Sequence, residues 1–148
     1  MQNETAVISI AHAIQLAVAP VFLLTGIAAL LGVLANRLAR VVDRARALEG
    51  RLEATPPTAA GRLHQDLRLL ARRARVINRG IAAVTVAALL ICTLIVVLFV
   101  DVFFGWELTR PVALLFVAAM AALIFGLLSL LREVQLATAG LRIGPADS

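Results

Sequence analysis

Residues 81–100 read IAAVTVAALLICTLIVVLFV, a run of twenty residues without a charged side chain. At a rise of about 1.5 Å per residue, a helix of this length covers the roughly 30 Å hydrocarbon core of a bilayer. Two more charge-free runs of sufficient length lie at residues 8–34 and 111–131. Because every backbone polar group must be satisfied within lipid, the three runs predict an all-α membrane protein with three transmembrane helices. We expect residues 1–148 to form a single membrane domain.

The composition of the chain agrees with this class. Of its 148 residues, 61% are hydrophobic and only 16% are charged. A soluble domain of this size cannot hide so much apolar surface from water, and a disordered chain requires low hydrophobicity. The single cysteine, Cys92, excludes an intrachain disulfide and a zinc site built on several cysteines.

The basic residues are all arginine, and their placement predicts an orientation. Eleven of the 14 lie within residues 35–80 together with four acidic residues, so this segment carries a net charge of +7, whereas the rest carries −2. By the positive-inside rule, residues 35–80 and the C-terminus face the cytoplasm, and the N-terminus lies outside. Trp106 then fits an aromatic anchor at the outer interface. The first run exceeds the length of a span, so its first turns either cross the bilayer or lie along the outer interface.

The arginine-rich segment also has a helical pattern. Apolar residues recur there at alternating steps of four and three, over residues 34–52 and again over residues 63–81. A repeat of 3.5 residues is typical of helices that pack by knobs into holes, and the intervening Pro56 and Pro57 predict a turn. We therefore expect the first two spans to extend into a cytoplasmic antiparallel helical hairpin over residues 35–80. The residues of this repeat, called seam positions below, are Leu34, Leu38, Val41, Ala45, Leu48, Leu52, Leu63, Leu67, Leu70, Ala74, Ile77 and Ile81.

The arginines of the hairpin have two interpretations. The simpler one is that they mark the cytoplasmic side and lie on solvated faces, with those near the membrane extending toward the interface. The second is contact with anionic lipid headgroups, to which each arginine near the surface contributes about 1 kcal/mol. The candidates for this contact are Arg37, Arg40, Arg75 and Arg79. Nucleic acid is not expected as a partner, because no aromatic residues are interleaved with the arginines.

A few polar residues are candidates for a pathway across the membrane. Ser9, His12 and Gln15 recur at steps of three in the first run, and Asp101 follows the second run. Polar residues within spans are functional candidates, and an acidic ring at a pore mouth attracts cations. The simpler interpretation is hydrogen bonding between helices for the first three and an interface position for Asp101, as for Glu133 after the third run.

Small residues in the third run predict a packing face. Ala118, Ala122 and Gly126 recur at steps of four, a spacing that lets helix backbones approach closely in lipid. The face could meet the first two spans or another copy of the chain.

No catalytic, cofactor-binding or metal-binding residue is predicted. The sequence has no glycine-rich phosphate loop, no serine in a nucleophile elbow and no pair of carboxylates buried together. His12 and His64 lie on opposite sides of the membrane in the predicted topology, so they cannot share a metal ion. We therefore do not expect an enzyme.

Several stretches resemble a known family. Residues 14–27, IQLAVAPVFLLTGI, and residues 36–46, NRLARVVDRAR, are similar to a bacterial membrane family catalogued as domain of unknown function 2721. Residues 72–79, RRARVINR, and residues 131–134, LREV, resemble it as well. The resemblance implies a bacterial inner-membrane protein with three spans and implies no activity. The motif positions that it marks are Pro20, Asn36, Arg37, Asp43, Arg44, Asn78 and Arg79.

Two functions fit these observations. The first is a non-enzymatic scaffold or accessory subunit that associates with copies of itself and contacts the lipid bilayer. The alternative is a small homo-oligomeric ion channel with a basic cytoplasmic vestibule. The two Asn-Arg pairs, Asn36-Arg37 and Asn78-Arg79, are expected at one membrane level, where they either cap and cross-bridge the two helices or line the vestibule.

Overall fold

The computed structural model describes residues 2–56, 60–106 and 108–139 and consists there of three helices. They are α1 (Gln2–Glu53), α2 (Gly61–Phe104) and α3 (Thr109–Ala139). Each contains a segment long and apolar enough to cross a membrane. The predicted all-α class with three membrane-crossing helices is therefore confirmed at the level of length and composition.

The first two charge-free runs continue as helix into the arginine-rich segment. α1 has 52 residues, which corresponds to about 78 Å of helix, and it continues without a break through Pro20. α2 has 44 residues, or about 66 Å. Both helices are longer than a bilayer requires, so each of them carries its apolar part and its charged part on one continuous backbone.

The break between α1 and α2 begins just before Pro56. The backbone N–H of Thr55 donates to the Leu52 carbonyl oxygen (3.2 Å), and Thr55 Oγ1 donates to the Arg51 carbonyl oxygen (2.7 Å). These bonds satisfy two of the carbonyl groups that a helix end leaves without partners. Pro56 follows immediately and cannot continue the helix.

The break between α2 and α3 depends on a glycine and an aspartate. Gly105 has φ +64°, a left-handed conformation that costs other residues about 1–2 kcal/mol, and its N–H donates to the Asp101 carbonyl oxygen (2.7 Å). The Asp101 carboxylate then accepts from the backbone N–H of Leu108 (2.8 Å). The two bonds join the end of one helix to the start of the next.

The helices contribute to two compact units, one formed by Met1–Gly32 with Ala83–Phe125 and the other by Val33–Ala82 with Gly126–Ser148. In the first unit, the buried residues of α2 follow steps of three and four, and those of α1 follow steps of four, three and seven. The buried residues are Ala13, Ala17, Pro20 and Ile27 on α1, Val84, Ala87, Ile91 and Leu94 on α2, and Ala119 on α3.

The second unit continues the same repeat in the charged part of the chain. Every seam position is buried or half-buried, whereas the residues between them are mostly exposed. On α3 the buried line passes through Gly126, Ser129 and Glu133. Of the packing face predicted at Ala118, Ala122 and Gly126, Gly126 is buried, Ala122 is half-buried and Ala118 is exposed, while the neighbouring Ala119 is buried.

Candidate functional site

The second unit contains a carboxylate held between two arginines. Glu133 of α3 is only 1% exposed. Its Oε2 accepts from Arg37 Nη1 of α1 at 2.5 Å, and its Oε1 accepts from Arg73 Nη2 of α2 at 2.7 Å. One acidic side chain therefore joins all three helices.

The sequence places the three side chains on inward faces. Arg37 comes three residues after the buried Leu34, and Arg73 comes three residues after the buried Leu70. Glu133 comes four residues after the buried Ser129. Residues three or four apart lie on the same side of a helix, so each charged group follows a core residue by one turn.

The two ion pairs make the burial of Glu133 possible. Removing a carboxylate from water costs several kcal/mol unless opposite charges and hydrogen bonds compensate, and here each oxygen receives a charge-assisted hydrogen bond. The side chains of Arg37 and Arg73 keep 32% and 27% of their surface exposed, so part of each guanidinium is still hydrated. The resulting contact orients three helices with a single buried anion.

A cavity of about 200 Å³ adjoins this contact, and positive charge dominates its lining. Four arginines and one glutamate leave three positive charges without a matching acid among the lining residues. We call it the arginine cavity, and its lining residues are Arg37, Arg40, Val41, Arg44, Leu70, Arg73 and Glu133. Within the described residues, neither Arg40 nor Arg44 takes part in an ion pair.

One donor in the arginine cavity has no partner. Arg73 Nε is buried and makes no hydrogen bond within the described part of the chain, although Nη2 of the same guanidinium is bound to Glu133. A buried donor without a partner costs about 1–3 kcal/mol. The arginine cavity therefore has more hydrogen-bond donors than its single carboxylate, that of Glu133, can accept.

The four arginines predicted to contact lipid fall into two groups. Arg37 and Arg40 line the arginine cavity, whereas Arg75 and Arg79 line another cavity of about 370 Å³ together with Leu38, Ala74 and Asn78. The structure thus does not bring the predicted lipid contacts together into one site.

Three of the four residues of the predicted polar pathway have described side chains, and these three are not joined to one another. His12 and Gln15 are exposed, Asp101 is bound to Leu108, and the side chain of Ser9 lies outside the described residues. No hydrogen bond or ion pair links His12, Gln15 and Asp101 in the part of the chain that the structure describes.

The motif positions have different surroundings. Pro20 is buried inside α1, whereas Asn36, Asp43 and Asn78 are exposed. No hydrogen bond connects the two Asn-Arg pairs among the described residues. Arg37 of the first pair binds Glu133 of α3 instead, so it joins α1 to α3.

Sequence reasoning assigned Glu133 to the membrane interface and missed its burial. Its partners are 96 and 60 residues away, and a single sequence does not reveal contacts over such distances. One available signal was the LREV stretch, residues 131–134, which belongs to the resemblance described above. The arginine excess of residues 35–80 was a second signal, because buried guanidinium groups require an acidic partner.

In residues 2–56, 60–106 and 108–139, no three His, Cys, Asp or Glu side chains lie close enough together to hold a metal ion.

The fold and the charge cluster define a class of protein, namely a multi-pass helical membrane protein with a buried carboxylate shared by arginines of two other helices. Within this class, the chain belongs to the family described as "Protein of unknown function (DUF2721)", whose model matches residues 17–143. The resemblance seen in the sequence is thereby confirmed. No curated protein and no solved structure matches the chain.

Proposed function

We propose that the protein is a non-enzymatic scaffold or accessory subunit of the bacterial inner membrane and that it associates with copies of itself. The N-terminus lies outside, and residues 35–80 form an antiparallel helical hairpin in the cytoplasm.

The observation that carries the proposal is the small buried share of the three apolar segments. Only 17%, 22% and 17% of their most apolar windows are buried inside the chain. Large apolar side chains such as Phe22, Leu114 and Val117 are exposed. Surfaces of this kind need a cover of lipid or of another apolar helix.

Exposed polar residues in the first apolar segment support self-association. His12, Gln15 and Thr25 are exposed on α1. Polar side chains on membrane helices form hydrogen bonds across helix interfaces, since lipid offers them no partner. A second copy of the chain supplies such a partner.

Burial and charge support the cytoplasmic hairpin. The seam positions on both helices are buried or half-buried, and residues from α1 and α2 line a common groove of about 500 Å³. The segment carries a net charge of +7, which favours the cytoplasmic side. Phe104 and Trp106, whose ring centroids are 5.1 Å apart, are exposed, as expected of an aromatic anchor at the opposite interface.

The Glu133 contact supports a structural role. Both carboxylate oxygens are already engaged by arginines. The Glu133 side chain thus holds α3 against α1 and α2, and we take this structural role as support for a scaffold.

The oligomeric state tests the proposal. Native mass spectrometry of the protein released from nanodiscs is expected to show a defined oligomer, and Gln15→Leu is expected to shift it toward monomer. Thr93→Val is the matched control, because the exposed Thr93 hydroxyl already donates to the Leu89 carbonyl oxygen of its own helix (2.9 Å). A strictly monomeric wild-type protein would overturn the proposal.

The alternative proposal is a small homo-oligomeric ion channel. Its support is the same exposed pair, His12 and Gln15, together with the arginine cavity as a basic vestibule. Because these groups are not joined within one chain, such a pathway requires several copies. Ion flux into liposomes that is lost in Gln15→Leu and kept in Thr93→Val would favour it, whereas no flux over a range of voltages and pH would exclude it.

A further inference from the structure

We propose that the arginine cavity binds a phosphate group, carried either by an anionic lipid headgroup or by a free phosphate compound. The binding groups are Arg40 and Arg44, which lie on one face of α1, together with the free donors of Arg37 and Arg73. The inference requires no self-association, so oligomeric state and phosphate binding are tested separately.

The first argument is charge. The cavity lining has four guanidinium groups and one carboxylate, and its apolar walls are the buried Val41 and Leu70. Charges beside apolar walls are screened less than charges in open water, so the three surplus positive charges repel one another. A phosphate dianion is the ligand chemistry that relieves this repulsion and accepts several hydrogen bonds at once.

The second argument is the supply of donors. A guanidinium carries five N–H donors in a fixed planar arrangement, and the ion pairs with Glu133 use one nitrogen of Arg37 and one of Arg73. Arg73 Nε is buried at this site without a partner in the described residues. Arg40 and Arg44 are exposed at the cavity and form no ion pair there.

The third argument is preorganisation. Glu133 holds Arg37 and Arg73 by two short hydrogen bonds, so these side chains lose little further freedom when an anion arrives. Arg37, Arg40 and Arg44 follow steps of three and four along α1 and therefore present a continuous row of guanidinium groups. Glu133 is in this view the positioning residue of the site, and the arginines are its ligand-binding residues.

The fourth argument is size and position. A cavity of about 200 Å³ is several times the roughly 30 Å³ that one water occupies in the liquid, which is enough for a phosphate group. Arg37 follows the end of the first apolar run by three residues, or about 5 Å along the helix, which corresponds to the depth of lipid headgroups in the proposed topology.

Two probes distinguish the sources of the phosphate. In the first arm, inorganic phosphate is titrated by calorimetry into the protein in phosphatidylcholine nanodiscs. In the second arm, the nanodiscs contain a minor fraction of phosphatidic acid, and native mass spectrometry counts the phosphatidic acid that stays bound. Binding in the first arm alone assigns a free phosphate compound, and binding in the second arm alone assigns a lipid headgroup.

The variants distinguish a built site from diffuse attraction. The double variant Arg40→Gln with Arg44→Gln is expected to weaken binding about tenfold or more, because each charge-assisted hydrogen bond is worth at least about a factor of ten. The control is Arg62→Gln with Arg72→Gln, which removes the same charge from exposed positions of α2 outside the arginine cavity and is expected to change binding by less than about twofold. Equal losses in the two double variants, or no saturable binding in either arm, would overturn the proposal. All four positions are exposed, so the variants are expected to fold.

Discussion

Gly80 of α2 lies directly against Ser129 of α3. A Cβ atom placed on residue 80 would stand 3.3 Å from the Ser129 Cβ and 3.6 Å from the carbonyl oxygen of Gly126. The Leu34 side chain of α1 approaches the same point at 3.7 Å. The absence of a side chain on Gly80 is therefore what lets the helices of the second unit come this close.

Replacing Gly80 by leucine is expected to destabilise the protein by about 1–3 kcal/mol, because the new side chain meets backbone and buried side chains and the helices must separate. Gly50→Leu is the matched control, since nothing lies within 4 Å of a Cβ at that helical position. The control is expected to be neutral or slightly stabilising, because leucine favours helix more than glycine does. Unfolding in mixed micelles measures both variants, and equal effects would contradict the close approach.

Glu133→Gln is expected to lower the free energy of unfolding by about 2 kcal/mol. The amide keeps one acceptor for an arginine, but its NH₂ group faces the other guanidinium and the compensating negative charge is lost. This expected loss of stability is smaller than the loss on breaking a fully buried ion pair, because the side chains of Arg37 and Arg73 are 32% and 27% exposed.

The control for this variant is Glu49→Gln, which removes one negative charge from an exposed position of α1. It is expected to change stability by less than about 0.5 kcal/mol. The same loss in both variants would show that Glu133 acts only through the net charge of the chain.

Asp101→Ala is expected to cost about 1 kcal/mol, because the backbone N–H of Leu108 loses its acceptor at the start of α3. Asp101→Asn keeps a side-chain oxygen and is expected to retain most of the stability. Thermal unfolding in nanodiscs compares the two variants, and equal losses for asparagine and alanine would show that the charge is required and that the hydrogen bond alone is not sufficient. The same asparagine variant tests the channel alternative, since it removes a negative charge without removing the hydrogen bond.

Leu48→Asp is expected to separate the two helices of the proposed hairpin, because it places a charge at a half-buried seam position. The expected result is rapid cleavage of residues 35–80 by added protease in inverted membrane vesicles. Ala47→Asp introduces the same charge at the neighbouring exposed position and is expected to leave the segment resistant. Unchanged resistance in Leu48→Asp would contradict the hairpin.

The class of the fold follows from the sequence, but the packing pattern is visible there only in part. Between residues 34 and 81, polar residues separate the apolar seam positions, so the 3.5-residue repeat can be seen directly. In the membrane-crossing segments nearly every residue is apolar, and hydrophobicity no longer distinguishes the buried face. The structure shows that the repeat continues there, for example at Val84, Ala87, Ile91 and Leu94.

The candidate site was predicted less well than the fold. The lipid prediction named Arg37 and Arg40, which do line the arginine cavity, but it omitted Arg44 and Arg73. Arg44 and Arg73 line the same cavity, and two like charges of this kind do not stabilise each other. The group that accounts for the cluster, Glu133, comes from a helix that the local pattern does not include.

The Glu133 contact has a consequence for biosynthesis. A ribosome makes Arg37 first, Arg73 second and Glu133 last, 96 residues after Arg37 and 60 after Arg73. A nascent chain that has inserted only its first two helices thus holds guanidinium groups whose shared carboxylate does not yet exist. The contact of Glu133 with Arg37 and Arg73 forms only after the third helix has been inserted. Its formation therefore requires that all three helices are in place.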